Sequence, residues 1–155
     1  MDHFPVDIFQ TGSGTSTNMN MNEVVSNLAK RKYKKEIHPN DDVNMSQSSN
    51  DVIPTTINIS SLTMSNSLSL SMNFLCDSLQ KKSKSISNII KSGRTHLMDA
   101  VPISFEQELN VWEEQVRAAQ SQIDLSCEEI SYLPIGGTAI GTGINAPKQF
   151  SKNVC

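Results

Sequence analysis

The chain has 155 residues, enough for one domain with a sizeable core, yet only 37% of them are hydrophobic while Ser and Asn are abundant. A formal net charge of −3 gives no electrostatic footing for nucleic acid or an acidic membrane surface, and no apolar run approaches the ~18 residues of a membrane span. Three widely separated cysteines, Cys76, Cys127 and Cys155, offer neither a disulfide framework nor metal-ligand spacing, which favours a reducing compartment.

Met1 to Phe9 is a mixed apolar segment without the basic start and apolar stretch of a signal peptide. Gln10 to Glu23, QTGSGTSTNMNMNE, reads as a Gly/Ser/Thr/Asn loop whose small residues admit close backbone approach to a ligand and whose hydroxyls supply donors. No Gly-Lys-Ser/Thr follows, so it is not a P-loop. Glu23 to Ala29 has helical character, and the charge run KRKYKKE from Lys30 to Glu36 reads as a solvated face.

The stretch His38 to Thr56, HPNDDVNMSQSSNDVIPTT, gathers a His, several carboxylates, amides and hydroxyls ahead of a helix start. Pro54 suits a first helical position, with Asn50 or Asp51 as caps. Donors gathered at a helix N-terminus make a place for an anion, because orphan N–H groups and the helix dipole point the same way.

From about 54 to 90, Met64, Leu68, Met72, Leu75, Leu79, Ile86 and Ile90 recur at helical steps, with Ser83 filling the gap. Gly93 to Pro102 reads as a connector centred on His96. A second helix, about 104 to 132, starts at a capping box of Ser104 and Gln107, with a stripe of Phe105, Leu109, Trp112, Val116, Ala119, Ile123, Cys127 and Ile130. Two long amphipathic helices joined by a short loop predict neighbours in a bundle, and the fold class is all-α. Leu133 to Asn145, LPIGGTAIGTGIN, is a second Gly/Thr loop without the GxGxxG order of a dinucleotide site. Asn145 and Pro147 then announce a third helix, too short by Cys155 to bury a stripe, so the sequence reads as a fragment.

The blocks TGSGT, NMNMNEV, HPNDDVN, SQSSND, GRTH, DAVP and GGTAIGTG, in this order, closely resemble the class II fumarases of the fumarase/aspartase superfamily. SQSSND, GRTH and GGTA favour fumarase over aspartase. The resemblance implies a long-helix bundle truncated at both ends, with 1–48 a remnant of the N-terminal lyase domain and 49–155 the first part of the central bundle. It implies a homotetramer whose active sites draw on three subunits, a fumarate or malate substrate, no metal or organic cofactor, and a cytoplasmic location (alternatively the mitochondrial matrix). Neither nucleic acid nor membrane is an expected partner.

By the same resemblance, Ser13 and Thr15 are hydroxyl ligands of substrate. Ser48, Ser49 and Asn50 hold a substrate carboxylate, and Thr95 and His96 are the catalytic pair delivered from another subunit. His38, Asn40 and Asp41 form a second dicarboxylate site. The chain departs from the pattern in a shortened segment between Asn27 and His38, in Met45 for the usual Lys, and in Met98 for the usual Gln. It also ends before the family's catalytic Ser loop, so the chain alone is expected to be inactive. Two alternatives stay open: an aspartase or related fumarate-releasing lyase, and a non-catalytic helical fragment.

Overall fold

The Gly/Ser/Thr/Asn run is mostly helix rather than loop. The computed structural model describes residues 3–9 and 12–155, so the start of that run, Gln10 and Thr11, lies outside the described residues. Helix α1 spans Thr15–Tyr33, entered through Gly14 at φ 70° and closed by Lys34 in the left-handed region. Asn and Thr are poor helix formers, so packing must hold this segment. The buried residues are polar: Asn18, Asn20, Asn22 and Ser26. Asn18, Asn22 and Ser26 recur every four residues and bond outward along one face, Ser26 Oγ to the Ile37 carbonyl at 2.6 Å.

A single π turn, Pro39–Val43, follows. Helix α2 then runs Ser49–Ser85. Its start differs from expectation. The Ser48 hydroxyl accepts the Asn50 N–H (3.2 Å) and the Asp51 carboxylate accepts the Ser48 N–H (2.8 Å), so Ser48 is the cap. Asn50 and Asp51 are helical, and Pro54 lies inside the helix, where it forgoes the bond to the Asn50 carbonyl.

Beyond Ser85 the chain turns and enters an antiparallel hairpin, β1 (Ile90–Thr95) and β2 (Met98–Ser104). The expected connector is therefore ordered, and the expected helix stops short of residue 90. Helix α3, Phe105–Ile130, begins with the predicted capping box: Ser104 Oγ accepts from Gln107 N, and Gln107 Oε1 accepts from Ser104 N. A short helix α4, Phe150–Val154, follows the second Gly/Thr loop.

Two compact units make up the chain. One comprises 1–59 with 132–155, the other 60–131. In the second, the less exposed residues of α2 are Leu62, Ser65, Ser69, Met72, Cys76, Leu79 and Ser83. Their steps alternate three and four, the spacing of a two-helix seam. Hydrogen bonds identify α3 as the partner: Gln120 Nε2 donates to Ser69 Oγ (2.9 Å), and Ser83 Oγ bonds Asn110 Oδ1 (2.6 Å). Cys76 is fully buried there.

The predicted stripe shares Met72, Leu79 and Ser83 with this seam, and Ile86 lies in the turn beyond the helix. Met64, Leu68 and Leu75 instead lie outside it. Within the single chain Leu75 remains 46% and Trp112 49% exposed. The sequence pattern averaged two faces: a polar-dotted one that meets α3 and an apolar one that does not.

Candidate functional site

The site begins where α1 and α2 start. Gly14 is required there: a Cβ on it would stand 2.7 Å from the Ile53 side chain, and its φ of 70° disfavours any other residue. The start of α1 thus lies directly against the first turns of α2. Ser13 Oγ and Thr15 Oγ1 are 3.2 Å apart at this end. One turn on, Asn18 Nδ2 donates to Ser49 Oγ (3.2 Å) and to Asn44 Oδ1 (3.1 Å), and Asn22 Nδ2 donates to the same Asn44 oxygen (2.9 Å). Ser49 Oγ accepts here, which leaves its own proton to donate.

The second Gly/Thr loop closes on the same helix start. Asn50 Nδ2 donates to the Ala139 carbonyl (2.8 Å). Asp51, 1% exposed, accepts from Gly136 N (3.1 Å) and Thr138 N (2.9 Å) on one oxygen. Gly136 at φ 91° and Thr138 at φ 57° curl the loop so that both N–H groups face one carboxylate. Backbone donors converging in this way form an anion nest, here filled by the protein's own side chain. A groove of about 490 Å³ runs alongside, lined by Asn40, Asp41, Asn44, Ser48, Thr138 and Asn145 among others.

The structure therefore brings Ser13, Thr15, Ser48, Ser49 and Asn50 to one end of one unit. Sequence reasoning missed Asn18, Asn22 and Asn44 and read Asp51 only as a helix cap, though all four hold that end together. The four-residue spacing of Asn18, Asn22 and Ser26 was the available signal.

His38, Asn40 and Asp41 sit together on the exposed π turn. The His38 Nδ1 accepts the Asp41 N–H (3.1 Å), His38 N donates to Asp42 Oδ2 (2.6 Å), and Asn40 Nδ2 donates to Asp41 Oδ1 (3.1 Å). His38 Nδ1 also stands 3.3 Å from Asp41 Oδ2.

Thr95 and His96 occupy the tip of the hairpin in the other unit. His96 and Leu97 both have positive φ, 52° and 62°, as a two-residue primed turn requires. Neither is Gly, and Leu97 is 98% exposed, so the tip holds backbone strain in full view of solvent. Behind it the register jumps between Gly93 opposite Val101 and Arg94 opposite Asp99, which leaves Ala100 as a bulge. Arg94 Nε pairs with Asp99 Oδ1 at 3.0 Å across the two strands.

A family model described as "Lyase" matches residues 1–155. The chain belongs to the lyase family. Among curated relatives it is 49% identical over 151 residues to the class II fumarate hydratase of Xylella fastidiosa strain 9a5c, covering 97% of this chain and 32% of that protein. It is 51% identical over 156 residues to the class II fumarate hydratase of Prochlorococcus marinus subsp. pastoris, covering 96% of this chain and 34% of that one. Among solved structures it superposes on class II fumarase from Schistosoma mansoni with a TM-score of 0.87 at 42% identity, over 99% of this chain and 34% of that one. The fumarate lyase:delta crystallin from Brucella melitensis bound to cobalt gives a TM-score of 0.84 at 40% identity, over 95% and 33% of the two chains.

The architecture is thus that of the fumarase-type helical bundle, as expected from the motifs. The chain spans about a third of the length of the curated relatives it matches. No helix among the described residues is long and apolar enough to cross a membrane.

Proposed function

We propose that this chain supplies part of the active site of a fumarate hydratase, which adds water reversibly to fumarate to give L-malate. One observation carries the reading. The Ser49 hydroxyl at the α2 N-terminus accepts the Asn18 amide (3.2 Å) and keeps its own proton for a ligand. That donor lies at the positive end of the helix dipole, a setting that suits a carboxylate. Relatives at about half identity that carry the name fumarate hydratase supply the choice of dicarboxylate.

Addition or loss of water next to a carboxylate passes through a carbanion whose charge spreads onto the carboxylate oxygens. Preformed donors stabilise that charge without reorganising. In this reading Ser48, Ser49 and Asn50, with Ser13 and Thr15, hold one carboxylate. Thr95 and His96, contributed by another copy, contact substrate and the reacting water, and the strained turn presents them. His38, Asn40 and Asp41 form a second dicarboxylate site. The copies assemble as a homotetramer, a reading supported by exposed Met64, Leu68, Phe74, Leu75 and Trp112. Three free thiols support a cytoplasmic location.

The test is complementation. The purified chain is mixed with the remaining two-thirds of the Xylella enzyme, and conversion of malate to fumarate is followed by ultraviolet absorbance. The chain alone is expected to be inactive and the mixture partly active. Ammonia release from aspartate in the mixture without malate turnover would overturn the hydratase reading in favour of an aspartase.

A further inference from the structure

We infer that Asp51 is a positioning residue for the α2 site, and this rests on the fumarate hydratase reading only for the identity of the ligand. Its carboxylate ties three backbone N–H groups from two distant segments. One is Ser48 N, at the cap (2.8 Å). The others are Gly136 N and Thr138 N, in the Gly/Thr loop (3.1 and 2.9 Å). The residue before it, Asn50, makes a second tether to the same loop through the Ala139 carbonyl (2.8 Å).

Asp51 is 1% exposed, so it cannot itself meet a substrate without rearrangement. Its effect passes through its neighbours. It fixes the cap residue whose side chain and helix position set the donors of Ser48, Ser49 and Asn50. It also fills the nest at Gly136 and Thr138, so an incoming carboxylate is denied those N–H groups and is left with the donors at the helix start. One buried anion thereby sets both the shape of the site and the place at which a second anion binds.

The experiment uses Asp51→Asn. The amide keeps the size of the side chain but turns a donor toward at least one of the N–H groups, whichever way it is placed. In the complemented mixture, KM for malate should rise about tenfold or more, the scale of losing one charge-assisted bond, with kcat changed less. A merely structural role would lower the amount of active enzyme, reducing kcat at unchanged KM. An unchanged KM in the folded variant overturns the inference.

Hydrogen exchange on the wild-type chain in the same mixture provides a second measurement that needs no variant. The amides of Ser48, Gly136 and Thr138 should open as one cooperative unit. Opening of Gly136 and Thr138 at a separate, lower free energy overturns the tether even if Asp51→Asn fails to fold. Absence of malate turnover in the wild-type mixture removes the hydratase reading alone, and the exchange result then decides the role of Asp51.

Discussion

Gly14 illustrates how far a single residue could be read. A Gly in a Ser/Thr setting implied close backbone approach, and the approach is real, but its partner is the Ile53 side chain at 2.7 Å from a would-be Cβ. Gly14→Ala should therefore cost about 1–3 kcal/mol, from positive φ and overpacking together, read as a lowered urea midpoint at unchanged slope. Asn50 and Thr95 are exposed and anchor no core. Asn50→Ala or Thr95→Val should leave circular dichroism unchanged and reduce malate turnover in the complemented enzyme by at least about tenfold. Wild-type rates in both would remove them from the site. Asp51 was legible only as a helix-cap candidate. Two of its three partners stand 85 and 87 residues away, beyond anything that local spacing can express.

At the scale of elements, the α3 start was legible to the residue, because Ser104 and Gln107 satisfy each other locally. Ser104→Ala should cost about 0.5–2 kcal/mol in chemical denaturation. The hairpin was not legible. Its strands, IKSGRT and MDAVPIS, are largely exposed on both faces, so no alternation of apolar and polar residues marks them. What holds them is cross-strand pairing and a close passage at Gly93, where a Cβ would meet the Val101 carbonyl at 2.8 Å. The start of α2 was misplaced for a related reason. Pro54 signals a helix start, yet the bonds of Ser48 with Asn50 and Asp51 begin the helix earlier.

For the molecule as a whole, the two long helices and their order were legible, and the choice of contact face was not. Two faces of α2 carry helical periodicity, and an apolar stripe cannot say whether its partner belongs to the same chain. The seam residue Leu79 and the outward residues Leu75 and Trp112 should separate these cases. Leu79→Ala should destabilise the α2–α3 pair even in the isolated chain. Leu75→Ala and Trp112→Ala should matter chiefly in the complemented oligomer, where burial would make each worth about 2–5 kcal/mol. Sedimentation at falling protein concentration distinguishes them, and dissociation unchanged by the outward substitutions would show that this face is not an assembly surface.

The buried Asp51 carboxylate also has a consequence for how the protein is made. Synthesis proceeds from the N-terminus, and Thr138, its last partner, follows it by 87 residues. At ordinary elongation speeds of about 5–20 residues per second, that interval is roughly 4–17 s. Throughout it the carboxylate has its Ser48 partner but neither loop donor, so water must solvate one oxygen and the growing chain must keep that end open. Polar Asn18, Asn22 and Asn44, already synthesised, form their mutual bonds without waiting for the loop. The nascent helix start thus has an early, hydrated form and a late, sealed one, and the arrival of a short Gly/Thr segment converts the first into the second.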